Sequence, residues 1–224
     1  MAIHTIVLNG WAASPEAWSL CTFRRDALFS YVEQLDGRPE AFLDAVLAAE
    51  PDARFVLVGW SMGGSSALRL ACRHRAHLAG LVLVAATPRM MEERESGWRG
   101  MSPRRLDALE RGLKLTKGQG FFGIPEGKPN PYQVDSDENL ARGLDYLLKT
   151  DLRAELRAAF PEGKVPFAVH LFQSEHDAIV RPENADWLRT IFPAARLTRV
   201  PGVEHALPIF IPEAIDAACN FCHS

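Results

Sequence analysis

The sequence predicts an α/β protein with a mostly parallel central sheet, helices on both faces, and a helical segment inserted before the last strands. Three observations carry this expectation. Short, wholly apolar runs such as Phe55-Val56-Leu57-Val58 and Leu81-Val82-Leu83-Val84-Ala85 have the signature of strands covered on both faces. Helical patterns alternate with them, which calls for parallel strands joined by crossover helices. Between Thr87 and about Lys164 that alternation stops and amphipathic helical patterns replace it.

Taken in order, Ile3 to Leu8 is a β-branched and apolar run that stops at Asn9-Gly10, and it reads as a short buried strand. A second strand is expected between Asp26 and Leu35, at Ala-Leu-Phe-Ser-Tyr-Val. From Pro39, the apolar positions Phe42, Val46, Leu47 and Ala49 have helical spacing and end before Pro51-Asp52. The central strand at Phe55–Val58 follows, then a helix from after Gly59 through His74, then the strand at Leu81–Ala85. Inside the insertion, Ser102-Pro103 reads as an N-cap followed by a first-turn proline, and Leu106, Leu109 and Leu113 form one stripe. A second amphipathic segment runs from about Ser136 to Lys149. Between the two lies Gly118-Gln119-Gly120-Phe121-Phe122-Gly123-Ile124-Pro125, a loop by its glycines that also carries adjacent aromatics. Alternation resumes with a strand at Phe167–Phe172, a helix from Pro182 to Ile191, a strand at Arg196–Val200 and a final helix from Pro212. The expected organisation is therefore a core of residues 1–86 and 165–224 with a helical lid over residues 87–164.

A chain of 224 residues can bury one sizeable core. With 25 basic against 28 acidic residues there is no net basicity to suggest nucleic acid or an anionic membrane as partner. The first apolar run is too short for the core of a signal peptide. No later segment approaches the roughly 18 apolar residues of a membrane span. A cytoplasmic monomer is the expectation. The four cysteines, Cys21, Cys72, Cys219 and Cys222, include one Cys-Asn-Phe-Cys pair, with no second Cys pair or spaced His pair to complete a zinc site. They read as reduced thiols, and neither metal nor cofactor is expected.

The chemistry concentrates at Gly59-Trp60-Ser61-Met62-Gly63. This is a Gly-x-Ser-x-Gly pentapeptide with an apolar strand before it and a helical pattern after it, the context of the nucleophile elbow of α/β-hydrolases. A serine hydroxyl attacks only when a base takes its proton, and the base works best when a carboxylate fixes its tautomer. The order expected for the α/β-hydrolase fold is Ser, acid, His. Asp177 follows the apolar strand that ends near Phe172, and His205 follows the strand that ends at Val200, so Ser61, Asp177 and His205 are the expected nucleophile, acid and base. Glu175, His176 and Glu204 are nearby competitors, whereas His4, His74, His77, His170 and His223 read as structural or solvated. An oxyanion hole needs backbone donors from the residue after the nucleophile, Met62, and from the loop after the first strand, where Trp11 is the candidate. Trp11, Trp60, Phe121 and Phe122 are candidate walls of an apolar acyl channel.

Several stretches together resemble the pimeloyl-[acyl-carrier protein] methyl ester esterases of biotin synthesis. They are Leu8-Asn9-Gly10-Trp11 with Trp18 beyond, Gly59-Trp60-Ser61-Met62-Gly63-Gly64, Leu83-Val84-Ala85-Ala86-Thr87-Pro88, Asp151-Leu152-Arg153, Asp177-Ala178-Ile179-Val180 and His205-Ala206-Leu207-Pro208. Trp60 beside the serine is the most telling match, and Asn9 stands where that family usually has histidine. The resemblance implies cleavage of a methyl ester on a short dicarboxylate carried by acyl carrier protein, giving the carboxylate and methanol. Acyl carrier protein is acidic, so a lid that receives it should present cations. Arg89, Arg94, Arg99, Arg104, Arg105, Arg111, Lys114 and Lys117 crowd the first half of the insertion, and Arg104, Arg111 and Lys114 can share one helical face. The same scaffold also suits a broad short-chain carboxylesterase, a lyase of the menaquinone-pathway type, or a ligand receptor with a vestigial site.

Overall fold

The computed structural model describes residues 2–116, 124, 127–133 and 135–223. At its centre lies a parallel sheet of β1 (Ile3–Leu8), β2 (Ala27–Phe29), β3 (Arg54–Trp60), β4 (Leu78–Val84), β5 (Ala168–Ser174) and β6 (Arg196–Val200). The spatial order is β2-β1-β3-β4-β5-β6. The apolar runs are unbroken because successive side chains enter two different cores. Val56 and Val58 join Val7, Val82 and Val84 on one face, while Phe55 and Leu57 join Ile6, Leu8, Leu81 and Leu83 on the other.

The second face is covered by α2 (Arg38–Ala49), α3 (Met62–Arg73), α6 (Arg153–Ala159) and α7 (Glu183–Ile191), through Leu43, Leu68, Leu156 and Leu188. Against the first face pack α9 (Pro212–Phe221), the short α8 (Leu207–Phe210) and the segment around Trp18. Two further helices precede β5: α4 (Pro103–Thr116) and α5 (Asp137–Lys149). Their stripes Leu106/Leu113 and Leu140/Leu147 belong to the same buried cluster as Val58 and Val84. Among the described residues no helix is long and apolar enough to cross a membrane.

Residues 26–35 depart from expectation. Only Ala27–Phe29 is strand, and Tyr31–Leu35 is a helix, α1. Ser30 makes the switch: its hydroxyl accepts from Glu33 N, and the Glu33 carboxylate accepts from Ser30 N at 2.9 Å. This reciprocal cap outweighs the strand preference of Tyr31-Val32. Helix α6 carried no separate sequence signal because it is two turns long, with Leu156 its one buried residue.

From β1 the chain moves outward to β2, then crosses back to β3 and onward to β6. The direction of winding therefore reverses between β1 and β3. In such sheets the crevice at the carboxyl ends of the strands beside the reversal is where ligands bind.

Candidate active site

Strand β3 ends at Trp60 and α3 begins at Met62, so Ser61 makes the whole turn alone, at φ +56° and ψ −119°. A non-glycine residue holds such a backbone only when its surroundings impose it. Here the neighbours yield the space. A Cβ on Gly59 would collide with the Gly63 carbonyl, one on Gly63 with the Leu8 carbonyl, and one on Gly64 with the Ala86 side chain. The pattern Gly-x-Ser-x-Gly-Gly is thus a packing requirement of the turn, which is tied to β4 by Ser61 N donating to Val84 O at 3.0 Å.

His205 and Asp177 converge on this serine from the loops after β6 and β5. His205 Nε2 lies 2.8 Å from Ser61 Oγ, and His205 Nδ1 lies 2.8 Å from Asp177 Oδ2. A carboxylate only accepts, so Nδ1 carries the hydrogen and Nε2 turns its lone pair to the serine hydroxyl. The carboxylate is itself fixed, because Asp177 Oδ1 accepts from Ile179 N at 2.8 Å and Val180 N at 2.9 Å. All three side chains are buried, whereas the competitors Glu175, His176 and Glu204 are exposed.

Two residues outside the three side chains brace the histidine and the acid. Trp60 Nε1 donates to the His205 carbonyl at 3.0 Å, with the two rings 5.7 Å apart. Gln173, at the end of β5, donates through Nε2 to Val180 O at 2.9 Å and holds the Asp177 loop closed. Sequence reasoning gave Trp60 a wall position only and passed over Gln173. A buried-strand pattern that turns polar four residues before an acid is the signal that could have found it.

The loop after β1 lies against the serine, close enough that a Cβ on Gly10 would sit 3.4 Å from Ser61 Cβ. Asn9 knots this loop. Its Nδ2 donates to Ala13 O at 3.1 Å and Ser14 O at 2.8 Å, and its Oδ1 accepts from Gly10 N and Trp18 Nε1, each at 3.1 Å. Among the described residues, the backbone N–H groups of Trp11 and Met62 have no acceptor. Two donors on either side of Ser61 are therefore unspent.

Above the serine is a narrow cavity of about 30 Å³ whose walls include Trp11, Trp60, Met90, Leu106, Leu109, Leu113, Tyr132 and Ile179, with Ser61 and His205 also lining it. Among the described residues the walls carry no charged side chain, and much of the apolar surface comes from α4. Phe121 and Phe122, expected as walls, lie outside the described residues.

The basic cluster divides. Arg104 and Arg111 are exposed on α4 with no ion pair among the described residues. Lys114 is the exception to the expected face of free cations: its ammonium lies 2.9 Å from Glu110 on the same helix and 2.7 Å from Asp137, the pair that ties α4 to α5. Arg89 is likewise engaged, by Asp151 at 2.6 Å and Glu93 at 3.2 Å, and Arg153 joins the same two acids. The Arg153 and Arg89 guanidiniums hold the Asp151 carboxyl well below the usual carboxylate range. Elsewhere Cys219 and Cys222 are buried free thiols, and burial pushes Cys222 up to about 11.

With this geometry in view, comparison with known proteins is direct. The sequence pattern of the Alpha/beta hydrolase family matches residues 6–218. The chain belongs to that family. Among curated relatives, the pimeloyl-[acyl-carrier protein] methyl ester esterase of Nitrosospira multiformis is 27% identical, the alignment covering 93% of this chain and 89% of the relative. The enzyme of that name from Nitrosomonas europaea is 28% identical, over 93% of this chain and 90% of its own. Among solved structures, an esterase from Exiguobacterium antarcticum superposes with a TM-score of 0.70 at 18% identity, over 100% of this chain and 92% of that one. At that identity the superposition speaks to the hydrolase fold alone. The six-stranded parallel sheet and its covering helices agree with it.

Proposed function

We propose that this member of the alpha/beta hydrolase family is a serine carboxylesterase, with Ser61 as nucleophile, His205 as general base and Asp177 as the acid that orients it. The observation that carries the reading is the continuous row Asp177–His205–Ser61, with both hydrogen-bond distances at 2.8 Å, at the floor of an apolar cavity. In the first step His205 Nε2 accepts the Ser61 proton as Oγ attacks the ester carbonyl. The oxyanion that forms is met by the Trp11 and Met62 N–H groups and by the amino end of α3. Collapse of the tetrahedral species expels the alcohol, which takes the proton from His205. Water then attacks the acyl-serine by the same route, its proton passing to His205 and back to Ser61, and the carboxylic acid departs. The apolar walls among the described residues receive the neutral ester and help release the ionised product.

The specific substrate in this reading is the methyl ester of a pimeloyl chain on acyl carrier protein, the ester for which the relatives at 27–28% identity are named. Residues 87–164 act as the lid: α4 and α5 roof the methylene chain, and the exposed Arg104 and Arg111 meet the acidic carrier. The cavity suits such a substrate because both ends of a carrier-bound methyl ester are uncharged. The test is hydrolysis of pimeloyl-carrier methyl ester beside p-nitrophenyl acetate, with rescue of a biotin-requiring strain that lacks its methyl esterase. A clear kcat/KM advantage for the carrier ester, together with growth, supports the specific substrate. Turnover of the small ester alone leaves a broad short-chain carboxylesterase, which the mostly apolar walls favour as the second reading.

A further inference from the structure

Helix α5 lies over the loop that bears Trp11, and the two touch at Gly143. The Trp11 indole Nε1 donates to the Leu140 carbonyl at 3.1 Å, in a fully buried bond. A Cβ on Gly143 would collide with Trp11 Cδ1 and would stand 2.6 Å from its Nε1 and 3.2 Å from Tyr31 Cδ2. Gly143 has no positive φ. Its helical backbone would accept alanine, which is the better helix former. What glycine supplies here is room for the indole.

The same loop is stitched to the strand-like segment that leads into α5. Ser14 N donates to Pro131 O at 2.9 Å and Gln133 N to Ala12 O at 2.8 Å, with Ala13 and Tyr132 paired as an antiparallel bridge. Ala12, one residue after Trp11, sits at φ +52°, a backbone that an alanine holds only when it is constrained from outside. From below, Asn9 fixes the loop; from above, α5 does.

We infer that Gly143 is a positioning residue for ester hydrolysis: by letting α5 close on the Trp11 indole, it sets the place of the Trp11 backbone N–H beside Ser61. The inference rests on the reading of that N–H as an oxyanion donor. It makes the insertion part of the transition-state machinery rather than a cover alone. A methyl group at position 143 displaces the indole, the loop follows, and the donor leaves the oxyanion. Gly143 is not itself among the cavity walls, whereas the Trp11 indole is, and a small acetyl ester, which needs little of that wall, keeps the accompanying change in KM small.

The experiment compares the parent enzyme, Gly143→Ala, Trp11→Phe, Trp11→Ala, and the double variant of Trp11→Ala with Gly143→Ala. Each is measured for kcat and KM on p-nitrophenyl acetate, for Tm, and for inhibition by a trifluoromethyl ketone that binds serine as a tetrahedral oxyanion. Loss of one oxyanion donor costs on the order of 10²-fold in kcat when complete. A displaced donor in Gly143→Ala should therefore lose about tenfold or more in kcat, with KM held within about threefold and ketone affinity reduced in parallel. In the Trp11→Ala background the Gly143→Ala change should cost less than about twofold, because the colliding ring is gone. Trp11→Phe keeps a ring but cannot donate to Leu140, and should lose several-fold in kcat and in ketone affinity. A Gly143→Ala enzyme with parental kcat and ketone affinity and an unchanged or higher Tm overturns the inference. Should that variant not fold, Trp11→Phe decides, and parental kcat and ketone affinity there overturn it. The esterase reading fails separately: a parent protein that neither turns over the ester nor reacts at Ser61 with a fluorophosphonate sinks both.

Discussion

Replacing Asn9 with alanine removes four side-chain hydrogen bonds from the loop that lies against the serine. The amide is fully buried, donates to the Ala13 and Ser14 carbonyls, and accepts from Gly10 N and Trp18 Nε1. Asn9→Ala strips partners from four polar groups around one small cavity. A buried group left without its partner costs about 1–3 kcal/mol. Taking the lower value for each, because carbonyls tolerate the loss better than donors and a water can enter, gives a destabilisation of about 4 kcal/mol. For a chain of this size 1 kcal/mol shifts Tm by roughly 2–4 °C, so Tm should fall by about 8–16 °C. Far-UV circular dichroism during a thermal scan measures it directly. Asn9→Asp supplies a control with a sign: an ionised carboxylate faces two carbonyls and repels them, whereas the protonated form donates to one. Its folded-state pKa is therefore raised, so stability should recover as pH falls below the raised pKa and decline as pH rises through it. A Tm for Asn9→Ala within about 3 °C of the parent would refute the reasoning, since water would then serve the loop as well as the amide does.

Other substitutions separate catalysis from structure. Asp177→Asn keeps the hydrogen-bonding shape but loses the charge that fixes the histidine tautomer, and kcat on p-nitrophenyl acetate should drop on the order of 10⁴-fold with Tm little changed. Asp151→Asn should lower Tm at pH 7 by breaking the bonds to Arg89 and Arg153. The depressed carboxyl pKa means that the parent holds this stability in full above the ordinary carboxylate range and loses it only as pH falls from there to the lowered value, so the Tm gap should stay constant from pH 7 to about pH 4 and close only in stronger acid. Arg104→Glu with Arg111→Glu should weaken kcat/KM for a carrier-bound ester at low salt and leave p-nitrophenyl acetate alone. Lys114→Glu should instead lower Tm, because it turns the pair with Asp137 that joins α4 to α5, and the pair with Glu110 within α4, into repulsions.

Much of the architecture is legible in the sequence because the sheet is buried on both faces. Apolar runs at Phe55–Val58 and Leu81–Ala85 leave little alternative to central or crossover-linked strands, and Gly59, Gly63 and Gly64 around Ser61 have a steric reason in the closeness of the turn to its neighbours. The order Ser61, Asp177, His205 follows from where those strands end. Residues whose role depends on a distant partner are not legible in this way. Ser30 and Glu33 turn a strand-like stretch into α1 through a side-chain cap that hydrophobic patterning ignores. Lys114 reads as one more cation until Asp137, on another helix, comes within 2.7 Å. Asn9 looks like a loop residue, Gln173 like a strand terminus and Gly143 like a weak point in a helix, and each acquires meaning only when the β1 loop, β5 and α5 are brought together around the serine.

The central claim is that Ser61 becomes acylated. Intact-protein mass spectrometry, on samples quenched during the first turnovers of p-nitrophenyl acetate and after treatment with a fluorophosphonate, tests it most directly. The account predicts a single acetyl adduct and a single phosphonyl adduct, both mapping to the peptide that holds Ser61. Both should be absent in Ser61→Ala and strongly slowed in His205→Ala. Undiminished ester turnover by purified Ser61→Ala, or adducts that map to another residue in the parent, would contradict it.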